Sequence, residues 1–265
     1  MRDNHLKDIW ASGRPVLNGW LGVPSSHSAE VMSHIGFDSL TVDLQHGAID
    51  YAGALAMLTA ISTTPVVPLA RPASLDPPQI MKLLDAGAYG VVCPMIDTPE
   101  DARRLVEACR YPPVGQRSFG PTRSAMSQGP NYTTDEANQR IVVFGQVETP
   151  LSLSNLDAIL ATEGLDGVYV GPSDLTLSMG LGANGDSTDP RFIETLRHVV
   201  ERSRAAGRHV GMHCANGPQA RRMVEMGFDF VTVGSDTGLM TEAGRGRLAL
   251  VRDAAAAGNG QGRGY

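Results

Sequence analysis

Short runs rich in β-branched residues recur along this chain, and their spacing restricts its fold more than any other feature. They are "VLNGWLG" (16–22), "SLTVDL" (39–44), "VVPLA" (66–70), "GVVCPM" (90–95), "IVVFGQVE" (141–148), "GVYVG" (167–171), "HVGMHC" (209–214) and "FVTVG" (230–234). Between them lie stretches with apolar residues at helical spacing, such as "SAEVMSHIG", "YAGALAMLTAIS", "PPQIMKLLDAGA" and "TPEDARRLVEACR". Short apolar runs read as buried strands, and strands that alternate with helices read as parallel βαβ units. Eight such units predict a (β/α)8 TIM barrel, a single domain over residues 1–265. A length of 265 residues suits one such barrel better than two small domains. Gly36, Gly87, Gly207 and Gly227 close helical patterns, as left-handed C-caps do. A doubly wound open sheet competes, but no G-x-G-x-x-G follows the first strand. Segment 111–140, rich in Gly, Pro, Ser and Asn, is too long for a plain connection. Residues 256–265 read as a flexible tail.

Charge and composition exclude several function classes. A net charge of −6 without a clustered basic run argues against a nucleic-acid partner. No apolar stretch approaches a membrane span, and the polar start "MRDNHLKDIWASGRP" has no signal-peptide core. Cys93, Cys109 and Cys214 lack C-x-x-C spacing and read as reduced thiols of a cytoplasmic protein.

In a barrel of this kind the chemistry collects at the C-terminal ends of the strands. Those ends offer Asp43 and His46 after the second strand and Arg71 after the third. Gln146 and Glu148 follow the fifth, the turn "GPSD" (171–174) with Asp174 follows the sixth, and His213 closes the seventh. Singly, a strand-end acid is more often a helix cap and a histidine more often a core residue. Together they converge on one mouth. Glu148 and Asp174 suit either an acid–base pair, as in a glycosidase, or the oxygen donors of a hard cation. With only 5% aromatic residues to stack on sugars, and Arg71 available for growing negative charge, the cation is favoured. The chain has two lysines, Lys7 in the N-terminal stretch and Lys82 in the third helical pattern, and neither is at a strand end. A Schiff base is thereby closed off, so an enolate would need a metal as its electron sink.

The segments "NGWLG", "SAEVMSHIGFDSLTVDLQHG", "ARP", "LLDAGAYGVVCPMIDTPEDA", "YPPVGQRS", "GQVETP" and "LDGVYVGPSDL" fall in this order over residues 15–255. In them the chain resembles the HpcH/HpaI aldolases, metal-dependent class II pyruvate aldolases acting on 4-hydroxy-2-oxoacids. The resemblance implies that Glu148 and Asp174 bind Mg2+ or Mn2+, with Co2+ also allowed. It implies that His46, paired with Asp43, is the catalytic histidine and that Arg71 binds substrate. In the mechanism expected on this basis, Gln146 supports a metal-bound water or ligand and backbone N–H groups near Ser173 receive the substrate carboxylate. Either His46 or a hydroxide on the cation takes the methyl proton of pyruvate. Asp85, in "LDAGA", would approach a neighbouring subunit's site in a homohexamer. Trp20 is expected to line the pocket, and His27 is a lesser candidate for touching the aldehyde.

Two departures from the family stand out. "DLQH" places Gln45 where members that cleave the homoprotocatechuate-pathway dioate have Glu, and "GQRSFGPTR" replaces the commoner G-x-R-G. The second offers Arg117 and Arg123 in a Gly/Pro-rich loop, expected above the barrel mouth. There Arg117 would contact the aldehyde half of the substrate through its fork of donors. For Arg123, function and plain surface charge weigh equally. The expected activity is reversible cleavage of a 4-hydroxy-2-oxoacid to pyruvate, or a related 2-oxoacid, and an aldehyde. A malyl- or citramalyl-CoA type lyase is the alternative, against which no lysine-rich phosphate patch is seen. A non-catalytic metal-binding barrel is the third reading.

Overall fold

The apolar runs pair edge to edge, all parallel, and the last closes on the first. The computed structural model describes residues 4–129 and 131–259. Its elements are α1 (Leu6–Ala11), β1 (Val16–Leu21), α2 (Ser26–Ser33), β2 (Ser39–Asp43), α3 (Tyr51–Ile61), β3 (Val67–Arg71), α4 (Pro77–Asp85), β4 (Gly90–Cys93) and α5 (Pro99–Cys109). They continue as α6 (Thr122–Gln128), α7 (Thr134–Arg140), β5 (Val142–Val147), α8 (Pro150–Ser154), α9 (Leu156–Leu160), β6 (Gly167–Val170) and α10 (Pro172–Ser178). The chain then forms α11 (Pro190–Ala205), β7 (His209–His213), α12 (Gly217–Met226), β8 (Phe230–Ser235) and α13 (Asp236–Asn259). The strand order β1 to β8 is sequential and the barrel is closed, as the alternating pattern predicts. Gly36, Gly87, Gly207 and Gly227 all take positive φ at helix ends.

Side chains alternate across each strand. One set, including Leu40, Val42, Val91, Val143, Val168 and Val231, packs outward into the main core beneath the helices. The other set points into the barrel, where Val67, Leu69, Phe144, Tyr169 and Phe230 form a second cluster plugged from below by Trp10 of α1. Above that plug lies a polar layer. Asn18 Nδ2 donates to Thr232 Oγ1 at 3.0 Å and Asn18 Oδ1 accepts from Ser39 and Thr41 at 2.8 and 3.1 Å. These buried groups satisfy one another and carry the mouth on a rigid base.

Three expectations need correcting. The fourth strand ends at Cys93 rather than continuing to Met95, because Pro94 lacks an N–H and Met95 turns to φ 55°. Segment 111–140, expected above the mouth, carries two short helices, α6 and α7, and joins α5 to β5, which places it at the N-terminal end of the barrel. The expected tail is helical as far as Asn259, as its run of alanines favours, and residues 260–265 lie outside the described residues. Every described residue from 237 to 252 is exposed, so α13 leaves the barrel instead of packing along it. No helix among the described residues is long and apolar enough to cross a membrane.

Candidate active site

Adjacent parallel strands place their last residues side by side, and β2 and β3 end in register at Asp43 and Arg71. The two side chains form a two-point pair, Arg71 Nε to Asp43 Oδ1 at 2.8 Å and Nη2 to Oδ2 at 2.6 Å. Asp43 is buried and accepts three further N–H groups: the Trp20 indole at 3.1 Å, the Gln45 amide at 3.0 Å and the His46 amide at 3.3 Å. Burial alone would raise its carboxyl. The hydrogen bond and charge of Arg71, with Trp20 and Gln45, outweigh burial and hold it below the usual carboxylate range. Asp43 thus fixes the guanidinium and the start of the loop that carries His46. It meets His46 through the backbone rather than the ring, and the imidazole is exposed at the mouth.

Trp20 is buried rather than open to the pocket. It lies beneath the pair, with the Arg71 guanidinium 4.8 Å above its ring and His213 edge-on at 5.0 Å. Burial and the nearby Arg71 push the His213 imidazole down to about 4, so it is neutral at ordinary pH.

Glu148 follows β5 and is 1% exposed. It does not cap α8, since Thr149 does so with its own side chain. Its Oε1 accepts from the Met95 amide at 2.9 Å and its Oε2 accepts from Gln146 Nε2. The left-handed turn at Met95 aims that amide inward; such backbone at a non-glycine residue is costly and gathers at functional sites. Gly171, after β6, leaves room for the carboxylate: a Cβ there would overlap Glu148 Oε2. Asp174, in the first turn of α10, is exposed beside it. Burial raises the Glu148 carboxyl, the Gln146 and Met95 hydrogen bonds lower it, and the Asp174 charge raises it again, for a net rise. Ser173 is also in the first turn of α10, where backbone N–H groups have no intrahelical acceptor.

The structure therefore brings Asp43, His46, Arg71, Gln146, Glu148, Ser173, Asp174 and Trp20 to one end of the barrel. Arg117 and Asp85 are not there. Helix α4 and the α5–β5 segment end at the opposite face, where Arg117 Nη2 donates to Asp85 Oδ1 at 2.7 Å and the guanidinium lies 4.5 Å over Tyr111. Arg117 is 2% exposed and so is not a loop arginine above its own mouth. Arg123 reaches the ends of two helices, donating to the Ala86 carbonyl at 2.6 Å and to Ser62 Oγ at 2.7 Å. Neither lysine enters the mouth. Lys7 pairs with Asp166 at 3.3 Å on the N-terminal side, and Lys82 lies 4.8 Å from the Tyr51 ring centre on the outer flank.

The donor set suits a hard cation. Among the described residues no cluster of three or more His, Cys, Asp or Glu could hold a metal. Magnesium-type sites, however, commonly use one or two carboxylates and fill the rest with water and substrate. Gln146 Oε1, buried and without a partner, points to one more oxygen awaiting a ligand or bound water. Two participants escaped the sequence reading, the Met95 amide and the Gly171 cradle. A glycine directly after a strand and before a proline was the available signal for the second.

The HpcH/HpaI aldolase/citrate lyase family model matches residues 19–243, which include every strand-end group named above. A hydroxypyruvate/pyruvate aldolase of Rhizorhabdus wittichii is 39% identical, covering 94% of this chain and 99% of its own. A 4-hydroxy-2-oxo-heptane-1,7-dioate aldolase of Salmonella paratyphi C is also 39% identical, with 93% of each chain covered. The crystal structure of a HpcH/HpaI aldolase/citrate lyase family protein from Burkholderia cenocepacia J2315 superposes with a TM-score of 0.88. It is 30% identical and covers 94% of this chain and 99% of that one. With the match running through β2, β3, β5 and β6, whose ends build the mouth, the chain belongs to the HpcH/HpaI aldolase/citrate lyase family.

Proposed function

We propose that this carbon–carbon lyase cleaves 4-hydroxy-2-oxoacids reversibly to pyruvate, or a related 2-oxoacid, and an aldehyde, and that it needs a divalent cation. The observation that carries the reading is the buried Glu148, set beside Asp174 and the unpartnered Gln146 Oε1. Glu148 and Asp174 would hold Mg2+, Mn2+ or Co2+, which supplies Lewis-acid polarisation of the 2-oxo group. Asp43 fixes Arg71 so that its remaining N–H groups face negative charge growing on the 2-oxo oxygen. The first-turn N–H groups of α10 around Ser173 receive the substrate carboxylate. His46 moves the proton of the C4 hydroxyl, taking it in cleavage and returning it in condensation. The names of the two relatives at 39% identity support an aldolase over a thioester lyase.

The three cysteines are free and buried, which supports a reducing, cytoplasmic setting. Exposed apolar side chains on α13 and on the α5–β5 segment, among them Leu250 at 73% and Met126 at 77%, support self-association, for which a homohexamer is proposed. In it Asp85 would serve a neighbour's mouth, since it stands far from its own, and the buried Arg117 would hold its carboxylate in place. The test is pyruvate release from 4-hydroxy-2-oxopentanoate with chelator and then with added Mn2+. Release that survives complete chelation removes the cation from the reaction.

A further inference from the structure

The β8 end holds a carboxylate that the proposed chemistry does not use. Asp236 is 2% exposed, and among the described residues no cationic side chain pairs with it. The β1–β8 pairing shifts register between Asn18 and Trp20, and Gly234 takes φ 149°, so the end of β8 swings toward the end of β1. There Asp236 Oδ1 accepts the Gly22 amide and Oδ2 the Val23 amide, each at 3.0 Å. Oδ1 also accepts the Thr237 amide at 2.7 Å. Oδ1 thus also serves the first turn of α13, beside Ser235 Oγ, which accepts the Gly238 amide at 3.1 Å. Each carboxylate oxygen nonetheless holds one amide of the loop after β1.

That loop supports the one that carries His46. The Gly22 carbonyl accepts the Ala48 amide at 3.2 Å. Gly47 lies against Gly22 so closely that a Cβ on it would stand 3.2 Å from Gly22 Cα and overlap the Asp43 carbonyl oxygen. His46 thus hangs between two backbone anchors, Asp43 on one side and Gly22 on the other. Its own amide bond to Asp43 is long, at 3.3 Å. We infer that Asp236 is a positioning residue for His46, acting through Gly22 and Val23. The consequence for catalysis rests on His46 being the proton-transfer group proposed above.

The test uses Mn2+-loaded full-length protein and cleavage of 4-hydroxy-2-oxopentanoate by native enzyme, Asp236→Ala, Asp236→Asn, His46→Ala and the Asp236→Ala/His46→Ala double variant. Displacing a reacting group by roughly 1 Å costs about 10²-fold, so Asp236→Ala should lower kcat by that order with KM little changed. Asp236→Asn keeps one acceptor but turns an N–H toward another N–H, and should fall between. If Asp236 acts through His46, adding Asp236→Ala to His46→Ala costs no more than about twofold. Native kcat in Asp236→Ala, or a double variant slowed by the product of the two single effects, overturns the inference. Amide hydrogen exchange over residues 20–24 and 45–48 judges positioning without any turnover, and it should quicken in both Asp236 variants. Unchanged exchange at 45–48 overturns positioning, whereas native turnover in His46→Ala overturns only the role of His46. Should Asp236→Ala fail to fold, Asp236→Asn carries both readouts.

Discussion

Gly171→Ala adds one methyl group at the point where the candidate cation site is most crowded. The new Cβ would stand 2.5 Å from Gln146 Nε2 and closer still to Glu148 Oε2. Backbone occupies the glycine side, so the carboxylate has to give way. Glu148 is 1% exposed and tied at both oxygens, to the Met95 amide and to Gln146. A retreat of roughly 1 Å breaks at least one of those bonds and takes the oxygen away from Asp174, at a cost of about 10²-fold in activity. Overpacking of this kind costs about 1–3 kcal/mol in stability. For a chain of this size that lowers the melting temperature by about 2–12 °C, which leaves the protein folded in the assay. Gly217→Ala is the control, because nothing lies within 4 Å of a Cβ there. The measurements are pyruvate release against Mn2+ concentration and thermal melting of both variants. Native turnover and native Mn2+ dependence in Gly171→Ala would show that the Glu148 carboxylate need not occupy this space, and the reasoning would fail.

Glu148→Gln and Asp174→Asn should each abolish Mn2+-dependent pyruvate release while circular dichroism stays native; Mn2+ binding by titration calorimetry should vanish with it, and retained binding would refute the donor assignment. Asp43→Ala leaves the buried Arg71 guanidinium and the Trp20 indole N–H without their acceptor, and breaking a buried pair costs about 3–5 kcal/mol. Chemical denaturation that shows a loss below about 1 kcal/mol would place the pair among weak surface bridges instead. His213 is depressed from 6.5 to about 4, so between those values the unfolded chain binds the extra proton. Its contribution to stability is therefore intact above pH 6.5 and is lost as pH falls toward 4; His213→Gln should flatten that part of the denaturation profile, and an unchanged slope would show the ring is not held neutral.

The barrel was legible because its signal is local and repeated. Each strand run lies within a residue or two of its structural counterpart except where Pro94 and Met95 turn the chain. The strand-end rule found the groups at the mouth, yet it could not say how they pair. Asp43 next to His46 in sequence suggested a carboxylate on an imidazole, whereas the register of β2 with β3 gives it to Arg71. Arg117 was misplaced for a related reason. Its Gly/Pro-rich surroundings imitate an open loop, and its burial depends on Asp85 and Tyr111, residues whose proximity is tertiary. Asp236 carries the same signature as Asp174, a glycine and then an acid after a β-branched run, and "VTVGSD" could have been read by the same rule.

The scarcity of lysine has a practical consequence for a protein proposed to release aldehydes. Aldehydes condense with free amines, and an enzyme bathed in its own product is modified wherever an ε-amino group can be reached. This chain offers two, Lys7 beneath the barrel and Lys82 on its flank. Adducts at either change charge on the outside and leave the mouth clear. Glutaraldehyde or an activated ester would reach ε-amino groups at these same two places, with the strand ends facing away from both.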